Sequence, residues 1–319
     1  MANYRISDIV RLTRKAKGLS QEELAFEAGI AVKTISRIES GKHKVTQATY
    51  QKVMDALNRF GNRSYAVCTS KDVGIMEERK LLEDATVKYE FKQAEEYLED
   101  LKEKADDTIL NKQYILRVES LLDYCNEKIS AEVMVERLKA ALHLTVENYQ
   151  DYMSYSQYKE EGYPYTEQEI LILMNLAGAY VECKQYRTAE KVLYVLTDCL
   201  DSGYIVGEEI SNLKIVIKSN LSRAIQGQRR YEESMGVLED VLEEAIKKKY
   251  GMVIVKTFYD IIWNMTKLNE VREKEEYTLE EIKRKMRQVY YIAAARKDEH
   301  MKLLAQNLYE KVFCEKIIF

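Results

Sequence analysis

The sequence predicts an all-α chain with a small basic head and a long acidic body of paired helices. Three observations predict it. Its 319 residues include only one proline and twelve glycines, too few punctuators for a protein built on many β-turns. The first 60 or so residues carry apolar positions at helical spacing, broken by single glycines. Beyond them, a helix–turn–helix pattern recurs at a fixed offset.

The head comes first. Residues 1–63 hold twelve Lys/Arg against six Asp/Glu, and the remainder holds 37 against 47, although the net charge is only −4. A basic head on an acidic body means that the head is the part suited to a polyanion. A helix over about 6–17 would turn Ile6, Ile9, Val10 and Thr13 inward. In "GLSQEELAFEAGIAVKTISRIESGK" (18–42), Ser20 followed by Glu23 is a capping box, and Leu24, Ala25 and Ala28 share one face. Gly29 ends that helix, where a left-handed residue costs least. A second helix begins near Val32. It turns Ile35 and Ile38 toward Leu24, and Lys33, Ser36 and Arg37 outward. Ala25 permits the close crossing, and Tyr50, Val53, Met54 and Leu57 suggest one more helix closing the core.

These residues resemble the helix-turn-helix domain of the lambda-repressor and Cro (XRE) family. The match rests on Ser20-Gln21, Glu23-Leu24-Ala25, Gly29-Ile30, Thr34 through Glu39 and Gly41-Lys42. The resemblance implies that the second helix of the pair enters the major groove of double-stranded DNA. Val32, Lys33, Ser36 and Arg37 then match base-edge positions, with Arg37 suited to guanine. Ser20, Gln21, Lys42 and Lys44 match phosphate contacts. Arg14 and Glu39 match a structural ion pair. Thr13 and Ala31 depart from the pattern, since leucine and a capping Ser or Asp are usual there.

The stretch "GNRSYAVCTSKDVG" (61–74) loses periodicity and reads as a linker. The division is 1–65 head, 66–75 linker and 76–319 body. In the body, "LMNLAGAYVECKQYRTAEKVL" (173–193) aligns with "KSNLSRAIQGQRRYEESMGVL" (218–238) at an offset of 45 throughout. Asn175 meets Asn220, Leu176 meets Leu221, Tyr186 meets Tyr231 and Leu193 meets Leu238. The small pairs Ala177/Ser222 and Ala189/Ser234 would let two helices cross closely. "YEFKQAEEYL" (89–98) holds the second-helix half of another unit, 113–143 forms one more, and "FYDIIWNMTKL" (258–268) restarts a first helix.

This pattern resembles the tetratricopeptide repeat, stacked as a right-handed superhelix with a concave face. The period exceeds the usual 34 or so residues, and the closing proline is absent, so longer helices or extended connections are expected. Head and repeats together resemble the RRNPP group of peptide-responsive transcription regulators, in its PlcR- and Rgg-like branch. That resemblance implies a cytoplasmic homodimer that binds a palindromic operator and is switched by a short signalling peptide in quorum sensing. An asparagine amide offers both a donor and an acceptor to a peptide backbone. Asn175, Asn220 and Asn264 stand at one register position of three successive first helices and are the candidate peptide clamps. Two alternatives stay open: a repressor whose repeats bind a protein partner, and a Rap-like protein-binding or phosphatase module.

No phosphate-binding loop, dinucleotide fingerprint, zinc-protease motif or nucleophile elbow occurs, so no catalytic residue, metal or cofactor is expected. Five scattered cysteines without CxxC spacing suit free thiols. No run of 18 apolar residues occurs, so no membrane partner is expected. The tyrosine-dense stretch 147–165 is expected to pack between repeats.

Overall fold

The computed structural model describes residues 10, 11, 13, 14, 18–40, 46–58, 70–107, 109–146, 165, 167–201, 208–272 and 276–315. Every regular element among them is an α-helix. The head comprises α1 (Gln21–Ala28), α2 (Val32–Glu39) and α3 (Gln47–Asn58). Val10, Arg11, Thr13 and Arg14 are helical before them.

The capping box forms as expected. The Ser20 hydroxyl accepts from the Glu23 amide at 3.0 Å, and the Ser20 amide donates to the Glu23 carboxylate at 2.7 Å. Gly29 takes the left-handed conformation at φ 62° and terminates α1. Ala31 caps α2 without a side-chain hydrogen bond. Thr13, the departure from the leucine pattern, is fully buried. Val10, Leu24, Ala25, Ile35, Ile38, Val53 and Leu57 form the head's core.

The body runs through α4 (Ser70–Val87), α5 (Phe91–Lys104), α6 (Ile109–Cys125), α7 (Ala131–His143), α8 (Glu167–Glu182) and α9 (Tyr186–Asp201). It continues through α10 (Glu208–Gly227), α11 (Tyr231–Lys247), α12 (Gly251–Arg272), α13 (Leu279–Ala295) and α14 (Glu299–Phe313). Each helix packs on the next, giving five hairpins and a terminal helix among the described residues. The first helices also pack on one another in sequence: α6 on α8, α8 on α10, α10 on α12 and α12 on α14. That second contact makes a stack, with the first helices as its inner layer.

Helix α4 starts at Ser70, inside the stretch expected to be a linker. A helical glycine such as Gly74 costs only about 1 kcal/mol against alanine. Burial of Ile75, Leu82 and Ala85 against α5 outweighs that. The half-unit read at 89–98 is α5, and α4 is its missing partner. The unit read at 113–143 is α6 and α7. The extra period lies in the helices: α8 and α9 have 16 residues each and α10 has 20.

The crossing residues behave as the register predicts. Ala177, Ala189, Ser222 and Ser234 are buried, and Ser234 Oγ donates to the Ser222 carbonyl at 3.0 Å. Leu176, Leu193, Leu221 and Leu238 are buried with them. The turns are unusual in composition. Tyr89, Glu127, Lys184, Arg229, Lys249 and Lys297 all have positive φ. In the turn after α8, the Gln185 amide donates to the Tyr180 carbonyl at 2.8 Å, the long bond of a Schellman motif with Lys184 in the usual glycine place. Tyr89, in the first such turn, stacks on His300 of α14 with ring centroids 4.1 Å apart. The first hairpin and the terminal helix therefore meet.

Among the described cysteines, Cys125, Cys183, Cys199 and Cys314 are free thiols; Cys199 is buried and Cys314 exposed. Cys68 and all of 147–165 except Tyr165 lie outside the described residues, and Tyr165 is buried.

Candidate DNA and peptide interfaces

Helix α2 presents the first interface. Val32, Lys33, Ser36 and Arg37 are all exposed on the face opposite Ile35 and Ile38. Neither Lys33 nor Arg37 has an ion-pair partner among the described residues, so both cations are available to a polyanion. Arg14 anchors the other end of α2. Its guanidinium donates to both Glu39 oxygens, at 2.6 and 2.9 Å, and to the Leu19 carbonyl at 2.6 Å. The Glu39 hydrogen bond raises the Arg14 pKa against the opposing effect of burial.

Gln21 joins the same network: its amide nitrogen donates to Glu39 at 2.7 Å. One N–H of Gln21 thus ties α1 to the end of α2. Ser20 is committed to its cap in the same way. Lys42 and Lys44 lie outside the described residues.

The inner layer of the body presents the second interface. Asn175 on α8 and Asn220 on α10 are half-buried. Arg117 on α6 donates to Asn175 Oδ1 at 3.4 Å. Lys256 on α12 donates to Asn220 Oδ1 at 3.5 Å. Each asparagine is therefore joined to a cation from a neighbouring first helix. Burial lowers the pKa of both cations, with Glu83 countering it at Arg117 and Asp260 at Lys256. Arg117 has Glu83 at 3.8 Å, while its Nε is buried without a hydrogen-bond partner. Asp260, one turn from Lys256, is buried with Oδ2 unpaired, and burial raises its pKa. Around them, Arg79 and Arg117 lie over the Tyr114 ring at 4.3 and 5.3 Å, and Arg223 faces Glu182 at 3.7 Å.

Asn264 corrects the sequence reading. It is fully buried; its Oδ1 accepts from Gln226 and its Nδ2 donates to Ser234 Oγ, both at 2.9 Å. Asn264 follows Asn220 by 44 positions where Asn220 follows Asn175 by 45, and it lies in the contact with α10 and α11. Arg117 and Lys256 were not singled out from the sequence. Their signal is a lone cation inside an apolar run, in "YILRV" and "VIVKTF".

Among the described residues, no group of three or more His, Cys, Asp or Glu side chains could hold a metal ion, and no helix is long and apolar enough to cross a membrane.

A helix-turn-helix family model matches residues 10–59, and this segment is a helix-turn-helix domain of the XRE type. The chain as a whole joins that domain to a body of tetratricopeptide-like repeats. Its fold is that of Bacillus thuringiensis PlcR. The PlcR structure in complex with the peptide PapR7 and DNA matches at a TM-score of 0.60 and 16% identity, covering 95% of this chain and 99% of that one. The apo form of PlcR matches at 0.56 and 16% identity, covering 93% and 98%. A comparison with curated proteins by sequence gives no match.

Proposed function

We propose that this chain is a transcription regulator, not an enzyme: its head binds DNA, and its repeats bind a short signalling peptide that switches the head. The observation that carries the proposal is the joint match of head and repeats, in one order and over nearly the whole chain, to a protein solved with both peptide and DNA. The unpaired exposed cations of α2 support the DNA half. The inward asparagines of α8 and α10 support the peptide half.

The head works as part of a homodimer on a two-fold symmetric site, because one recognition helix reads too few base pairs for genomic specificity. Arg37, Lys33, Ser36 and Val32 face base edges, and Ser20, Gln21, Lys42 and Lys44 face phosphates. Asn175 and Asn220 grip the peptide along its backbone, while pockets between repeats read its side chains. The protein acts in the cytoplasm, where DNA and an imported peptide meet.

Selection of sites from a random DNA pool by the full chain tests this reading. An enriched palindrome, with a footprint of two half-sites about one helical turn apart, is the expected result. An enriched site without two-fold symmetry contradicts the homodimer, and no enrichment contradicts the DNA half.

A further inference from the structure

Asn175 and Asn220 share a feature beyond their register. Each Oδ1 accepts from a cation, Arg117 at 3.4 Å and Lys256 at 3.5 Å, donated by an adjacent first helix. Ammonium and guanidinium groups donate and cannot accept. The reverse amide orientation would press an NH₂ group against a cation. The cations therefore select one of the two orientations for each side chain. Nδ2 is left as the outward group, and neither Nδ2 has a partner among the described residues. Asn264 shows the contrast, since both ends of its amide are used inside the fold.

We infer that Arg117 and Lys256 are positioning residues that hold Asn175 and Asn220 as paired donors, so that the groove reads backbone carbonyl oxygens of its peptide. This rests on the peptide-binding reading given above. It also explains a cost. Lys256 is half-buried beyond salt-bridge range of a carboxylate among the described residues, and burial lowers its pKa, with Asp260 one turn away countering part of the effect. Packing alone gives no reason to keep a cation there. Each Asn–cation bond also crosses from one hairpin to the next, so a grip on the amide is felt at the joint between units.

The test begins with a library of synthetic short linear peptides passed over the immobilised full chain. Retained members are identified by mass spectrometry, and the best retained is titrated by calorimetry into variants. Lys256→Met is expected to weaken binding about 3- to 10-fold, and Lys256→Arg to restore most of it. Asn220→Ala is expected to weaken it further, and Lys256→Met added to Asn220→Ala to cost nothing more, because a positioning residue has nothing left to position. Asn220→Asp keeps the cation paired and removes both donors. It is expected to bind as poorly as Asn220→Ala while melting no lower than wild type.

Additive losses in the double variant would make Lys256 a direct contact and overturn the inference. So would unchanged binding by Lys256→Met or by Asn220→Asp. If wild type retains no peptide at all, the peptide-binding reading falls and takes this inference with it.

Discussion

The head and the body use the same residue types in opposite ways. On α2, Lys33 and Arg37 stand in solvent without ion-pair partners among the described residues. In the body's inner layer, Arg117 is buried and Lys256 half-buried, and both are tied to asparagine oxygens. An exposed cation attracts a polyanion from a distance and loses strength with salt. A desolvated cation acts over one hydrogen bond and is little screened. The difference suits the two ligands proposed: a phosphate backbone carrying charge throughout, and a peptide backbone carrying none. The proposed DNA binding should therefore weaken steeply between low and physiological salt, whereas the proposed peptide binding should hold nearly constant.

The strongest break of this comparison is to collapse the body alone. Leu176 is fully buried at a hairpin crossing. Leu176→Asp should cost more than about 4 kcal/mol by burying an unpaired charge. Thermal unfolding should then show the body melting early while the head keeps its transition. The reciprocal break is Glu39→Ala, which leaves Arg14 buried without its carboxylate and should cost about 3–5 kcal/mol, confined to the head. If either variant lowers both transitions equally, head and body are one cooperative unit and the comparison loses its basis.

A smaller effect sharpens the DNA side. Arg37→Ala should cost about 1–3 kcal/mol in binding and relax preference at one base pair per half-site. An unchanged selected site would remove Arg37 from base reading. The smallest effect concerns the turns. Lys184 occupies a left-handed position at φ 60°, where a side chain is strained. Lys184→Gly should stabilise the body by about 0.5–1 kcal/mol, read as a higher midpoint in denaturant, and leave peptide binding untouched. A lower midpoint would show that the lysine side chain contributes contacts that outweigh its strain.

These turns also mark where the sequence stops being legible. Ser20, Glu23 and Gly29 carry their own local chemistry, so α1 can be read at both ends. Arg14 and Glu39 could be paired through the family pattern, and the structure places them in a two-pronged bond. The offset of 45 located the hairpins because small crossing residues and leucines recur with it. Lys184 and Arg229 carry no turn signal. Packing of the flanking helices imposes their conformation, and packing is not written locally. Asn264 failed for a related reason: its amide is used by Gln226 and Ser234 of two neighbouring helices, and which helices meet is not written in the register. Arg117 and Lys256 needed knowledge of which helix lies beside which, although a charge within an apolar run was a visible anomaly. Gln21 matched a phosphate position of the family pattern, but its bond to Glu39 links positions 18 apart that only the fold brings together.

The central claim is that peptide in the body changes DNA binding by the head. A ligand shifts such an equilibrium only through its differential affinity for two shapes. The direct measurement is fluorescence anisotropy of the full chain on its selected site, with and without the best retained library peptide. Wild type should change its DNA affinity by about 5-fold or more when peptide is added, and an Asn175→Ala/Asn220→Ala variant should not respond at the same peptide concentration. Equal DNA affinity with and without peptide in wild type, at a concentration where calorimetry shows the body saturated, would contradict the account.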